Sequence, residues 1–326
     1  MSETSLQAGH VGQHDASLAA AVVRDWSSRL RVSAPVRYGA LTLFPVVQPS
    51  PPPPIPLALA DTAIESGGVI VEEVHEAGSV GRLRVRNESD LPVLIPEGAI
   101  LIGAKQNRVV QWSVVVASEE AVELPVSCVE QGRWAYRGRR FRTGRMAPLS
   151  VRRSYHRPRR YRLRGERADH RDAQLAVWQE VAMCLNEVSA ESHTSSLTDG
   201  FEKLQEDLAE YTRRFELPAQ TVGVVVQMGG GIVGADLFGR PDMFRRQMER
   251  LIQGYAFDAI RRGGDGRPKS PEEARKFLDE LAKGARPASR QVGLGMRLTT
   301  ASDVAEGTAL VYEGQLCHWS AVALSD

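Results

Sequence analysis

Cysteine is scarce in this 326-residue chain: there are three, Cys128, Cys184 and Cys317, an odd number set far apart. No CxxC pair and no Cys/His spacing of the kind that holds zinc surrounds them, so no structural disulfide, metal or cofactor is expected, and a reducing compartment is. Long apolar runs are missing too. The stretch "ASLAAAVV" near the start is too short for a signal peptide or a membrane span and runs into Arg24 and Asp25. A cytoplasmic chain without a membrane partner is therefore expected. What is present, 42% apolar and 25% charged residues, is the composition of an ordinary globular protein, long enough for a sizeable core.

Charge of one sign is scarce in one region. Residues 131–171 hold fifteen arginines, no lysine and two acids, Glu166 and Asp169, a net +13 in a chain whose total is +1, which leaves −12 for the remainder. Such a field bears on partners rather than on fold.

The patterning predicts an α+β chain. Residues 1–35 read as a loosely ordered amphipathic arm, and the four prolines within residues 51–55 as a stiff connector on the surface. Residues 36–130 alternate or run apolar with many β-branched side chains, the mark of an antiparallel sheet or sandwich. Beyond the basic segment 131–171, residues 172–326 form an α+β part. In it "DAQLAVWQEVAMCLNEVSA" spaces Leu175, Trp178, Val181, Leu185 and Val188 along one helix face, with Cys184 as core packing beside them. A second helix covers "LTDGFEKLQEDLAEYTRRF". "QTVGVVVQMGGGIVGADLF" then predicts a β-hairpin, followed by a long amphipathic helix starting at Pro241, a shorter helix near Pro271, and closing strands.

Several motifs compete for a functional reading. "GGGIVG" matches a dinucleotide-binding pattern, but Ile232 and Val233 continue a strand where a helix should open, so the glycines read as a hairpin turn. "EEVHEAG" gathers Glu73, His75 and Glu76 like metal ligands; without a second histidine nearby it reads as a solvated edge. His318 lies in a strand as a packed or surface imidazole. "GAKQNR" supplies donors for phosphate, carboxylate or ribose oxygens. In "LPVSCVEQGRW", Val126, Cys128 and Glu130 share one strand face, placing a thiol two residues from a carboxylate. Cys128 is either a buried thiol or a nucleophile, and no histidine is set to activate it.

Taken in order, "GAKQNR", "VSCVEQGRW", "MAPLSVRRS", "AVWQEVA" and the hairpin with its long helix resemble the ARG and rhodanese-phosphatase superfamily associated protein family, a bacterial domain of unknown function, over residues 38–326. The family's name records an association with ADP-ribosylglycohydrolases, so the resemblance implies a setting in ADP-ribose or NAD metabolism. Association of this kind suggests a ligand class and no mechanism. The family motifs fall on Gly103, Lys105, Gln106, Arg108, Cys128, Glu130, Gln131, Gly132, Arg133 and Trp134. The segment "YHRPRRYRLRGERADHR" is a local elaboration beyond the pattern.

The leading expectation is an anionic, nucleotide-like ligand related to ADP-ribose, held in a pocket where Lys105, Gln106, Arg108, Gln131, Arg133 and Trp134 bind it. Glu130 is the candidate acid or base, and Cys128 the less favoured nucleophile. Two alternatives stay open. The first is binding of single-stranded nucleic acid or another polyanion through residues 131–171, where Trp134, Tyr136, Phe141, Tyr155 and Tyr161 interleave with arginines. The second is a non-catalytic interaction module with a buried polar cluster.

Overall fold

The structure, a computed structural model, describes residues 13–163, 170–264 and 266–324. It is α+β, and among the described residues every strand pairing is antiparallel except that of Ala58–Leu59 with Val93–Ile95. No helix among them is long and apolar enough to cross a membrane.

The β-branched run Thr221–Met228 turns over Gly229 and Gly230 and returns as Gly231–Phe238. This hairpin is the centre of the larger sheet. Leu41–Val47 flanks it on one side; Gln315–Ala323, Ala305–Tyr312 and Met296–Ala301 follow on the other. Strand alternation sorts the side chains onto two faces. Leu41, Leu43, Val224 and Val226 turn to the face covered by the long helix Pro241–Arg262. Phe44, Val46, Val225 and Leu237 turn to the face covered by Gln13–Ser28 and Pro271–Lys283, the latter opened by a capping box between Ser270 and Glu273.

Three details differ from the sequence reading. The arm is partly a docked element, because Ala19, Ala20, Val23 and Trp26 of Gln13–Ser28 are buried on the sheet's second face. Burial of Val23 or Trp26 contributes roughly 1.5–3 kcal/mol; residues 1–12 lie outside the described residues. The β-rich segment is also divided, since Leu41–Val47 belongs to the larger sheet. Finally, the helix His170–Glu187 and the residue after it bury Val181, Leu185 and Val188 of the expected stripe, but at the N-terminal end Gln174 and Val177 are buried and Leu175 is 53% exposed. That end is turned because Gln174 completes a strand edge: it accepts from the Cys128 amide at 2.8 Å and donates to its carbonyl at 2.9 Å.

Six strands of residues 69–146 wrap a separate core, in the order Phe141–Met146, Ala99–Gly103, Arg108–Val110, Ala121–Cys128, Arg82–Asn87 and Val69–Glu73, while Val93–Ile95 pairs with Val114–Val116 and Ala58–Leu59 in a small third sheet. A bridge between Glu72 and Arg140 ties the two edges, so the sheet curls toward a closed barrel around Val71, Leu83, Val85, Leu101 and Phe141. Pairing of Arg108–Val110 with Ala121–Cys128 sets Arg108 opposite Cys128. The proline loop is a surface segment pinned by Arg240, which donates to Pro52, and by Gln315, which donates to Pro53.

Barrel and sheet are joined by buried polar groups around the helix Leu149–Leu163. Arg152 Nη1 donates to both oxygens of Asp236 at 2.8 Å, and the Tyr255 hydroxyl donates to Oδ2 at 2.5 Å. His318 lies 3.5 Å from Asp236 and 2.7 Å from the Ser113 hydroxyl. Ser113 in turn accepts from the Glu97 amide, and the Glu97 carboxylate meets His156 at 2.6 Å and Thr308 at 2.5 Å.

Removing one partner of a buried ion pair costs roughly 3–5 kcal/mol, so Asp236→Asn should lower unfolding free energy by about that amount in denaturant titrations. Burial pushes the Asp236 carboxyl up, but Arg152, His318 and Tyr255 more than offset it and hold it below its ordinary value. A depressed folded-state pKa stabilises above the unfolded value, so this contribution is complete at neutral pH. It is lost as pH falls below about 4 through the folded pKa. Acid titration of stability should therefore be steeper in the wild type than in Asp236→Asn.

Candidate functional site

The turn between Ala99–Gly103 and Arg108–Val110 has an unusual backbone. Gly103 has φ +143°, and a Cβ there would stand 2.6 Å from the Arg140 carbonyl, so only glycine fits. Ala104 follows at φ +36°, a conformation that surrounding bonds must enforce. They do: its carbonyl accepts from Arg133 Nη1 and from the Arg137 amide.

Arg133 is held in turn by Glu130. Its Nε and Nη2 reach the two carboxylate oxygens at 2.8 and 2.6 Å, a bidentate pair with both side chains buried. The same carboxylate accepts from the Asn107 amide at 3.0 Å and from the Thr194 hydroxyl at 2.8 Å. Burial pushes Glu130 up, but these donors hold it below its ordinary value, so it is ionised at neutral pH. Asn107 extends the network to Ser196 and Thr198, at 3.1 and 3.3 Å.

Beside this clamp lies a second buried set. Arg108, fully buried, donates from Nη1 to Gln106 Oε1 at 2.9 Å and to Cys128 Sγ at 2.8 Å; its Nη2 lies 3.4 Å from Glu73. A cation this close would ordinarily favour a thiolate. Here desolvation prevails, and the Cys128 thiol is pushed up to about 11. It is protonated at neutral pH and sealed from reagents.

Above the buried layer the side chains face outward. Trp134 is 46% and Tyr136 45% exposed, and they cover Lys105, itself buried, whose Nζ lies 5.4 and 5.1 Å from their ring centres. Arg108 Cζ lies 5.6 Å from the Trp134 ring, from beneath. Arg137, Arg139 and Arg140 are exposed on the same loop, and Arg142 on the strand Phe141–Met146 that follows it.

The two motifs thus converge, but not as a ligand cradle. Arg108 and Arg133, expected to grip an anion, grip Glu73 and Glu130. Glu130 has its oxygens occupied, and Gln106 is spent on Arg108 and on the Gln131 carbonyl. Gln131 and Trp134 are exposed, and Lys105, expected with them, is buried beneath Trp134 and Tyr136. Glu73 is buried rather than at a solvated edge, because the curled sheet turns that strand toward Arg108, while His75 and Glu76 remain exposed. Of the window's aromatic residues, Phe141 and Tyr155 are core, and the side chains of residues 157–163, Tyr161 among them, lie outside the described residues, as do residues 164–169. Among the described residues no group of three or more His, Cys, Asp or Glu could hold a metal ion. His318 is the packed imidazole of a strand, and what sequence reasoning missed is its meeting with Ser113 and Asp236, residue types of a hydrolase triad. All three are buried within the core, which gives them a structural role.

Glu130→Ala, which strands the buried Arg133 charge, should cost roughly 3–5 kcal/mol of stability, read from the denaturant midpoint. In native protein Cys128 should react with a thiol reagent only at the rate of unfolding; fast labelling under native conditions would mean the seal is open.

No curated protein and no solved structure matches the chain. A family model described as the ARG and Rhodanese-Phosphatase-superfamily-associated Protein domain matches residues 29–322, nearly its whole length. The chain belongs to that family.

Proposed function

We propose that the chain binds anionic, nucleotide-built ligands on the outer face of the 131–142 loop, and that an extended single strand fits this face best. The observation that carries the reading is the pair of half-exposed rings, Trp134 and Tyr136, set around Lys105 and followed by four exposed arginines. Rings of this kind stack on bases whatever their identity, and arginines track the phosphates. The surface is an open loop, whereas a small ligand needs a concavity that buries most of it. Arg108, Arg133 and Arg152 are paired inside, so among the described residues of the window the charge that meets a ligand at this face comes from Arg137, Arg139, Arg140 and Arg142.

A second reading uses the same chemistry for a smaller ligand. ADP-ribose or a related product of NAD metabolism would stack its adenine on Trp134 and lay its pyrophosphate against Arg137, Arg139 and Arg140. The family's association with ADP-ribosylglycohydrolases supports it. The three buried free cysteines support placing either role in a reducing compartment such as the cytoplasm.

Binding of a labelled twelve-nucleotide thymidine strand, of ADP-ribose and of heparin tests the proposal. Trp134→Ala should weaken the strand by about 1–3 kcal/mol while sparing heparin, which carries charge and no bases. Affinity for the strand should fall steeply with salt as counterions are released. Wild-type affinity of Trp134→Ala and Tyr136→Ala for both nucleotide ligands would overturn the reading, and an effect on ADP-ribose alone would select the smaller ligand.

A further inference from the structure

The proline strap at residues 51–56 crosses the surface between the start of the long helix Pro241–Arg262 and the turn before Gln315–Ala323. Its backbone is fixed by its own chemistry. A proline ring sets φ at about −65°, and a residue standing before proline is kept extended. Ser50, Pro51, Pro52, Pro53 and Ile55 all stand before prolines, and no cis peptide bond interrupts the described residues. The strap is therefore a polyproline II helix, with three residues to the turn.

Exposure follows that period. Pro52 and Ile55 are half-buried, with Ile55 packed on the core beneath, whereas Pro51 with Pro54, and Pro53 with Pro56, form two exposed rows. Stiffness alone would be served by prolines on any edge; here the one aliphatic residue lies on the inward edge and prolines alone fill the outer two. The strap is also held through its backbone: Arg240 Nη1 donates to the Pro52 carbonyl and Gln315 Nε2 to the Pro53 carbonyl, each at 3.1 Å. Arg240 is further engaged with Asp242 at 2.9 Å. No described residue donates to the carbonyls of Pro51 or Pro54.

Aromatic-lined grooves read a polyproline II helix by taking two of its three edges between their rings and by donating to its free carbonyls. In this strap the third edge is the one the protein already covers. We propose that the strap is a docking surface for a partner protein that carries such an aromatic-lined groove. The groove needs no acidic pocket, because the neighbouring cation, Arg240, is turned to Pro52 and Asp242, and recognition comes from rings and carbonyls. The chain supplies its ligand already ordered, which removes part of the entropic cost of binding. The inference is independent of the nucleotide reading.

Isolated WW and SH3 domains carry grooves of this kind and serve as probes, titrated by calorimetry with the full chain and with the peptide SPPPPIPLA, residues 50–58. At least one should bind the chain with a stoichiometry of one, at least as tightly as it binds the peptide, and with little dependence on salt, unlike a polyanion at the arginine loop. Pro51→Ala combined with Pro54→Ala, both in one outer row, should weaken binding at least about tenfold, since each removes two ring methylenes from the groove. Pro52→Ala on the inward edge and Trp134→Ala should bind as wild type, with melting curves establishing that each variant is folded. Binding of the peptide but not of the chain would show the strap covered. Binding of neither, or equal affinity for wild type and the double variant, would show that its outer rings are not read. Each of these results would overturn the proposal.

Discussion

An arginine cannot be taken out of water alone, and three of those buried here, Arg108, Arg133 and Arg152, are each set against a carboxylate: Glu73, Glu130 and Asp236. A buried pair of this kind adds little net stability over an apolar pair of the same shape, yet removing one partner is severe. Its effect is on specificity. Each pair accepts one arrangement of the elements that carry it: the edge strand Val69–Glu73 beside Arg108, the 104–107 turn beneath the 130–133 loop, and the helix Leu149–Leu163 against the larger sheet. A shift of one residue in the pairing of Arg108 with Cys128 would turn Arg108 to the other face and strand Glu73.

The same requirement divides the arginine-rich window. Counted along the chain, its charges form one field. In space, Arg133 and Arg152 are consumed inside, whereas Arg137, Arg139, Arg140 and Arg142 face solvent. It also explains why a thiol beside a guanidinium is not activated. Proximity of a cation lowers a thiol pKa, but in the sealed layer desolvation is larger, and Arg108 is already shared with Glu73 and Gln106. Residue types alone suggest a nucleophile; burial decides against one.

What could be read in advance follows the range of the interactions involved. The hairpin at residues 221–238, the helix opened by Pro241 and the helix capped by Ser270 rest on local periodicity and turn chemistry, and each stands where the pattern put it. The convergence of "GAKQNR" with "CVEQGRW" was visible as two polar interruptions of apolar strands. Their internal pairing was not. Thr194 reaches Glu130 across 64 residues, Ser196 reaches Asn107 across 89, and Gln174 reaches Cys128 across 46. Nothing in the flanking sequence of a threonine or glutamine marks such a partner. Glu73 failed for a related reason: alternation along a strand does not distinguish a face that meets solvent from one that meets an arginine across a curled sheet. Leu175 is the reverse case, an apolar residue displaced from the buried face because Gln174 had a strand edge to complete.

The clamp and the outward rings are consecutive residues, and that adjacency links the fold to the surface. Arg133 is buried and bidentate; Trp134, the next residue, is half exposed and rests on Arg108 and Lys105. Gly132 is fixed as well, donating to the Thr194 carbonyl at 2.7 Å, and a Cβ there would stand 3.0 Å from Thr194. An exposed loop ordinarily surrenders conformational freedom when it binds, roughly 0.5–1.5 kcal/mol for each side chain immobilised. In this loop much of that ordering is completed on folding, by the buried Arg133–Glu130 ion pair beneath it. Glu130 then matters to a surface it does not reach: its carboxylate fixes Arg133, Arg133 fixes the Ala104 carbonyl and the 104–107 turn, and that turn sets the buried Lys105 beneath the two rings.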